Sequence, residues 1–346
     1  MILCKEDSFK QYFNEHPLNL VDIGFRDGVQ KKWEIFGKYL SVIGFEPDKV
    51  EYKRLIEKLR VISSKKGAPT YNIYDVALYK EPIDNLDLYI TKNGNLCSIL
   101  EPNRAVLDEF PETDRFDVLK KGSIKADKLD NVFFSKGIKS IDFIKIDVQG
   151  VALYVLQGAE ETLNGSVFGL EIEVEFLRMY KDQPLFGDVD KFLRDKGFHL
   201  FDLKKYFWRR KAGLGFDGSK RGQLIHADAL YLRDVDSYLD LLQSNIKDVV
   251  QKKALVLKAI SICQLFGYSD YVLLFCQKAK AAKIFSDKEA ETIDNLFREK
   301  SVFVLPKLWG VGRLKTLARK INKLFEDNYH GWAMVDKNDV GNNCEL

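Results

Sequence analysis

Short apolar runs alternate with longer amphipathic segments between residues 18 and 232. The short runs are rich in β-branched and aromatic residues, as strands are, whereas the longer segments space their apolar residues as helices do. This alternation predicts an α/β fold in which helices cover both faces of a parallel sheet. The predicted strands lie at 19–23, 41–45, 72–77, 141–147 and 168–175, followed by a closing antiparallel pair at 198–203 and 224–232.

Two other segments depart from this pattern. Residues 86–90 alternate apolar and polar side chains and precede turn-forming residues at 92–95, which predicts an inserted hairpin or an edge element beside the sheet. Beyond Asp234 the apolar spacing becomes three to four residues, which predicts helices. We therefore expect a first domain over residues 1–234, a helical appendage over 235–335 and a disordered polar tail over 336–346.

The first two predicted strands each end in residues suited to a nucleoside. Gly24 and Gly28 follow the first strand and let the backbone approach a ligand, and Glu46 ends the second strand, where an acid can bind ribose hydroxyls. The turn lacks the GxGxxG pattern of dinucleotide sites. It therefore favours S-adenosylmethionine, which has no pyrophosphate for a helix N-terminus to hold.

Other residues at the same sheet edge complete the predicted cofactor site. Asp22 is expected either to orient the glycine turn or to meet the methionine ammonium through water. Residues at the end of the third strand are expected to border the adenine. The cofactor-binding candidates are Asp22, Gly24, Gly28, Glu46, Pro47, Asp75, Val76, Ala77, Asp147 and Gln149.

The catalytic candidates are carboxylates and one histidine. Asp147 ends the fourth predicted strand, where it is either a base for a hydroxyl proton or the N-cap of the next helix. Glu171, Glu173 and Glu175 share one face of a strand predicted to be central, so they need partners. The options are a basic side chain, sugar hydroxyls, or a divalent cation held by Asp147 and Glu173.

The remaining candidates have weaker signals. His226 starts the last strand near the expected cleft and is either a third base candidate or a hydrogen-bonded structural residue. Ser98 lies in a loop expected to help close the site. Gln149 can bind cofactor or acceptor. Together with Glu171 and Glu175, Ser98 and Gln149 form the predicted acceptor site.

Composition narrows the classes of partner. The 346 residues carry 54 basic and 51 acidic side chains, so a net charge of +3 gives no general field for nucleic acid. No HxH or HExxH pattern predicts zinc, and five cysteines without a CxxC pair indicate reduced thiols. Because the first residues lack the apolar core of a signal peptide, we expect a cytoplasmic protein. No sequence feature predicts its oligomeric state.

Residues 307–325 carry basic side chains and no acids. Apolar residues can line one face of a helix there. This pattern predicts a basic amphipathic helix that lies on anionic lipid at the inner membrane face, on an acidic partner, or against its own domain.

The assembled motifs resemble the FkbM family of S-adenosylmethionine-dependent methyltransferases. The similar segments, within residues 18–232, are VDIG at 21–24, GFEPD at 44–48, CSILEPN at 97–103, DFIKIDVQG at 142–150, EVEF at 173–176, YKDQPLF at 180–186 and GQLI at 222–225. The resemblance implies a class I methyltransferase fold, Rossmann-like with a seven-stranded sheet, and methyl transfer to an oxygen of a sugar or polyketide. Asp22, Gly24 and Glu46 match its cofactor motif.

Two positions depart from the commoner family pattern. Phe25 and Arg26 stand where the turn usually reads Gly-Ala-Asn-Xaa-Gly, and Gln149 stands where a glutamate is common. The glutamine removes one base, which shifts the expectation to Asp147 or Glu173.

These observations predict an O-methyltransferase acting on a hydroxyl of a sugar, glycan or glycolipid precursor. Two other classes stay open. A nicotinamide-dependent (NAD(P)) oxidoreductase shares the acidic end of the second strand, and a non-catalytic binding or assembly protein could retain the fold.

Overall fold

The computed structural model describes residues 3–138, 140–214, 221–297 and 332–342. Its strands are β1 (Leu18–Ile23), β2 (Leu40–Phe45), β3 (Thr70–Tyr74), β4 (Ala77–Leu78), β5 (Ile83–Thr91), β6 (Val118–Asp127), β7 (Phe143–Ile146), β8 (Gly169–Glu175), β9 (Phe198–Trp208), β10 (Gln223–Arg233) and β11 (Ala333–Val335). Its α-helices are α1 (Lys10–Glu15), α2 (Lys49–Ser63), α3 (Arg104–Leu107), α4 (Leu129–Lys136), α5 (Ala152–Gln157), α6 (Glu160–Leu163), α7 (Phe186–Asp195), α8 (Val235–Asn245), α9 (Val249–Leu265), α10 (Ser269–Ala281) and α11 (Asp287–Phe297).

Eight strands form the main sheet, in the order β11-β9-β10-β8-β7-β1-β2-β3. The five strands from β8 to β3 are parallel, and β10 runs antiparallel between β8 and β9. All seven predicted strands are present. The eighth, β11, is a correction, because it falls in the segment predicted to be a helical appendage and pairs antiparallel with β9.

The insertion between β3 and β7 forms a second sheet of three strands, in the order β4-β6-β5. Of the two alternatives predicted for residues 86–95, the hairpin is wrong and the edge element is present, since β5 is an edge strand of this second sheet. Asn93 accepts a hydrogen bond from the Asn95 amide, a short 3-10 turn follows, and the returning chain makes only an isolated bridge from Ser98 to Tyr89. The antiparallel partner of β5 is β6, which begins 27 residues after β5 ends.

Helices cover both faces of the main sheet, as predicted. Helices α4 to α7 pack on one face, against side chains such as Ile23, Ile144 and Ile172. Helices α1, α2 and α8 to α11 pack on the other, so the C-terminal helices share a continuous core with Leu20 and Val42. Helix α9 is central to this layer, since every residue from 254 to 265 is buried.

A buried ion pair joins α9 to the amino edge of the sheet. Lys258 Nζ lies 2.8 Å from Asp142 Oδ2, which also accepts a 2.7 Å hydrogen bond from the Asn19 amide. Both charged side chains are almost completely buried, and burial raises the pKa of Asp142. An ion pair in this setting is costly to break, because the remaining charge has no water around it.

The last described segment returns to the sheet. After β11, Asp339 pairs with Lys204, the Gly341 amide donates to Asp202 Oδ2 at 2.7 Å, and Val340 is buried. Residues 336–342, predicted to be disordered, therefore contact β9. The basic segment 307–325 lies outside the described residues. Across the described ranges, no helix has both the length and the apolar character required to span a membrane.

We expect Lys258→Met to lower the free energy of unfolding by about 3–5 kcal/mol, because it leaves the Asp142 carboxyl buried without its cation. Urea unfolding would measure this. Lys280→Met is the matched control, since Lys280 pairs with Asp287 at the surface and its loss should change stability little. If both variants lost the same free energy of unfolding, the buried pair would not have the stabilising role given to it here.

Candidate functional site

The glycine turn after β1 touches the turn after β7. Gly24 has a φ of +85°, and a Cβ added there would lie 2.0 Å from the carbonyl oxygen of Asp147. The Asp147 amide in turn donates to the Ile23 carbonyl at 2.9 Å. Only glycine allows this approach, because any side chain would meet backbone that cannot move aside.

Phe25 and Arg26, the departures from the commoner family turn, have separate roles. Phe25 is 1% exposed, and its ring covers Gly44, where an added Cβ would lie 2.7 Å from the ring. Arg26 extends to the insertion, since a Cβ at Gly94 would lie 2.8 Å from its guanidinium. Phe25 thus fills the core, and Arg26 connects the glycine turn to the insertion.

Glu46 is the acid at the end of β2, and it is 4% exposed. One carboxyl oxygen accepts a 2.8 Å hydrogen bond from the Asp48 amide, and burial raises the pKa of this carboxyl. Its backbone amide donates to Tyr74, which ends β3. Strand register therefore brings the ends of β1, β2 and β3 to one edge, where the residues that directly follow or end these strands are Asp22, Gly24, Glu46, Pro47, Asp75 and Val76. Gly28 lies further along the turn after β1, and Ala77 begins β4 of the second sheet.

A lysine inside the sheet joins two of the predicted acids. Lys145 on β7 lies opposite Asp22 on β1, and its Nζ is 3.5 Å from Asp22 Oδ1 and 3.2 Å from Asp147 Oδ2. Burial opposes the charge of Lys145, but the carboxylates of Asp22 and Asp147 outweigh it and raise its pKa. Burial also raises the pKa of Asp22, to about 6. Asp147 caps no helix, since α5 begins at Ala152.

The three glutamates of β8 share one face of a central strand, as predicted, but they have different surroundings. Glu171 pairs with Lys32 and accepts a 2.7 Å hydrogen bond from Gln30. Glu175 is buried, and burial raises its pKa to about 8. Glu173 lies between them, and burial followed by the nearby Asp147 carboxylate raises its pKa.

Glu173 connects two polar groups at the acceptor side of the edge. Gln149 Nε2 donates to Glu173 Oε1 at 3.0 Å, and His226 Nδ1 lies 3.5 Å from Glu173 Oε2. The His226 ring stacks on Tyr206 at 4.2 Å between centroids, and the Tyr206 hydroxyl donates to Asp228 at 3.0 Å. Burial lowers the pKa of His226 to about 4, so the imidazole is neutral at neutral pH.

The insertion lies across this edge. Ser98 Oγ donates to the Gln149 carbonyl at 2.6 Å, and the Tyr180 hydroxyl lies 3.0 Å from the Leu96 carbonyl and 3.2 Å from Gln149 Oε1. Gly94 contacts Arg26 at the other end. We call residues 93–98 the roof segment, because they extend from the glycine turn to the end of β8.

The divalent-cation hypothesis finds no support in the geometry. No group of three or more His, Cys, Asp or Glu side chains is arranged to hold a metal within the described ranges. Asp147 pairs with Lys145, and Glu173 contacts Gln149 and His226 instead.

The structure adds functional residues that sequence reasoning missed. Lys145 had a signal, since it is the one charged residue inside a run of apolar strand residues at 143–146. The others are brought in by loops or by strand register, and they are Gln30, Lys32, Tyr180, Tyr206 and Asp228.

The strand order of the main sheet, with β10 antiparallel between β8 and β9, is that of a class I methyltransferase fold. A family model for the methyltransferase FkbM domain matches residues 22–200, just over half of the chain. The chain belongs to the FkbM methyltransferase family. A comparison with curated proteins gave no match.

Solved structures with a similar fold have low sequence identity to this chain. The methyltransferase FkbM from Methylobacillus flagellatus KT is 15% identical, with a TM-score of 0.38, and the match covers 63% of this chain and 44% of that one. This chain thus spans less than half the length of that relative. Magnesium protoporphyrin IX methyltransferase from Synechocystis PCC 6803 with bound SAM is 12% identical, covering 66% of this chain and 77% of that one at a TM-score of 0.33.

We expect Gly24→Ala to destabilise the protein far more than Gly67→Ala. Both glycines have a left-handed φ, +85° and +82°, but only Gly24 has backbone in the way of a Cβ. The φ penalty should cost each variant about 1–2 kcal/mol, and the contact with Asp147 should add about 1–3 kcal/mol in the first. Denaturant unfolding of the two variants measures the difference, and equal losses would rule out the close approach.

Proposed function

We propose that the chain is an S-adenosylmethionine-dependent O-methyltransferase that methylates a hydroxyl of a sugar, glycan or glycolipid precursor. One observation carries the proposal. A single sheet edge holds a buried ribose-type acid, Glu46, after β2 and an imidazole–carboxyl pair, His226 with Glu173, at β10 and β8. Strands β2 and β8 are three positions apart, which corresponds to about 14 Å at the usual strand spacing.

The residues present fit this cofactor. The second oxygen of Glu46 has no hydrogen-bond partner among the described residues and is available to ribose hydroxyls. Asp22 Oδ2 is buried without a hydrogen-bond donor, which suits the methionine ammonium. When bound, the cofactor supplies an electrophilic methyl group on its sulfonium.

A dinucleotide fits less well. Its pyrophosphate needs the N-terminus of an α-helix directly after the glycine turn. Here a 3-10 segment at Lys31–Tyr39 follows instead, interrupted by non-helical backbone at Gly37. The sequence of this turn agrees, because it lacks the GxGxxG pattern of dinucleotide sites.

Proton transfer from the acceptor hydroxyl falls to His226. Its Nδ1 side faces Glu173, which orients the ring, and Nε2 lies on the opposite side of the imidazole. The ring is neutral at neutral pH, and the nearby Asp147 carboxylate favours its protonated form, which helps the imidazole to take up the proton as the methyl group is transferred. Gln149, held by Tyr180 and Glu173, positions the acceptor beside it. Holding the reacting atoms about 3 Å apart supplies much of the acceleration.

Polar and aromatic side chains around His226 support a sugar acceptor. Asp228, Glu173 and Gln149 offer hydrogen-bond partners for hydroxyls, and Tyr206 offers an aromatic face. A cytoplasmic location, and contact of residues 307–325 with anionic lipid or an acidic partner, remain predictions from the sequence.

Glu46→Gln should weaken binding of S-adenosylmethionine and S-adenosylhomocysteine about 10- to 150-fold, because charge-assisted hydrogen bonds to ribose contribute about 1.5–3 kcal/mol. Calorimetric titration with both ligands and NADH measures this. Glu57→Gln on the exposed side of α2 is the control and should bind normally. Unchanged affinity in Glu46→Gln would remove its assigned role. Binding of NADH alone, or of no ligand, would overturn the cofactor class.

His226→Asn should lower kcat for methyl transfer by about 10²–10⁴-fold, the usual contribution of a general base, while cofactor affinity stays within about twofold. Transfer of labelled methyl groups to a panel of glycosides measures kcat, and calorimetry measures affinity. His199→Asn on the exposed side of β9 is the control. Full turnover in His226→Asn would leave positioning alone as the mechanism.

A further inference from the structure

Arg115, in the insertion before β6, has an unusual environment. Its guanidinium carbon lies 5.0 Å from the ring centroids of both Trp208 and Trp332 and 5.5 Å from that of Phe116. No ion pair or side-chain hydrogen bond joins it to another described residue, and its Nε is buried without a partner. Burial lowers its pKa. The aromatic rings hold the cation in place but satisfy none of its N–H groups.

Arg210 shows how a guanidinium is usually accommodated in the same aromatic cluster. It lies 5.1 Å above the Phe110 ring. Unlike Arg115, it forms an ion pair with Glu109 and donates to Gln223 at 2.7 Å. The cluster therefore supplies partners for one arginine and leaves the other free to bind something else.

Arg115 borders the proposed active site. Its carbonyl accepts a 3.1 Å hydrogen bond from the Asn93 amide, which places it against the roof segment. Trp208, on which it packs, has its ring 6.5 Å from that of His226. The positive charge of Arg115 is close enough to contribute to the lowered pKa of His226.

The carboxyl groups below do not neutralise this cation. Lys145 pairs with both Asp22 and Asp147, and Lys32 pairs with Glu171. Burial raises the pKa of Glu175 to about 8, so this carboxyl is protonated near neutral pH, and burial also raises the pKa of Glu173. On its own segment, Glu112 and Asp114 partly offset the effect of burial on the pKa of Arg115, and Asp114 is paired with Lys92. Among the described residues, none of these carboxyls forms an ion pair with Arg115.

We propose that Arg115 binds an oxyanion on the acceptor, a carboxylate or phosphate group carried by the sugar whose hydroxyl is methylated. The inference rests on the proposed function and deepens it. The guanidinium lies 5.0 Å from the centroids of two indole rings, which take up none of its N–H groups. Its N–H groups therefore remain available for paired hydrogen bonds to a carboxylate or phosphate. Arg115 then determines which acceptors bind, and His226 acts on their hydroxyl.

The test measures binding of three probes to the full chain saturated with S-adenosylhomocysteine, by ligand-observed NMR titration. The probes are methyl glucuronide, glucose 6-phosphate and the neutral methyl glucoside. We expect at least one anionic probe to bind about tenfold or more tightly than the neutral one, and which of the two binds identifies the oxyanion. Equal affinities, or no binding of either anion, would overturn the inference.

Three variants test whether Arg115 causes the preference for an anionic probe. Arg115→Gln should abolish it, Arg115→Lys should keep part of it, and Arg210→Gln should keep all of it. A preference that survives Arg115→Gln, or that Arg210→Gln removes equally, would contradict the assignment. Binding of S-adenosylhomocysteine is checked first in every protein. Its absence in the unmodified chain would sink the proposed function, whereas normal binding without anion preference would sink only the role of Arg115.

Discussion

Lys145 makes it possible for one face of the sheet to hold so many acids. Its ammonium lies between the buried carboxylate of Asp22 and the carboxylate of Asp147, whose side chain is 48% exposed. An unpaired buried carboxylate would cost several kcal/mol, so each buried acid must meet a cation or retain a proton. Lys145 and Lys32 supply the cations, and burial raises the pKa of Glu173. These ion pairs and the raised pKa of Glu173 determine which carboxyls along this sheet edge carry a charge.

The same sheet face is apolar at the amino ends of its strands and polar at their carboxyl ends. The C-terminal helices cover the apolar half, and Phe266, after α9, stacks on Phe143 of β7 at 5.4 Å. Lys32 lies 4.5 Å above the Phe266 ring while it pairs with Glu171. Helices outside the matched family region thus support the floor of the candidate site. Their removal would expose the core and also release the cation that holds Glu171.

The sequence predicts what depends on local periodicity and misses what depends on distant contacts. Alternation along β8 is enough to place Glu171 and Glu173 on one face, because side chains of a strand alternate by geometry. Their partners Lys32 and His226 come from other segments, and only the sheet register and helix packing bring them there. Strand β11 escapes prediction for a similar reason: three residues show no period, and pairing with β9 defines it.

Gln149 shows how the residue type at one position affects what the neighbouring side chains at this edge can do. Its amide nitrogen donates to Glu173, and its amide oxygen lies within hydrogen-bond distance of the Tyr180 hydroxyl. A neutral amide donates and accepts at once without taking up a proton, whereas an ionised carboxylate only accepts. A glutamate, the commoner residue at this position, would place a second carboxylate 3.0 Å from Glu173, and one of the two would have to take up a proton. With glutamine, the second oxygen of Glu173 is left to contact His226 at 3.5 Å, the arrangement on which the proposed role of the imidazole depends.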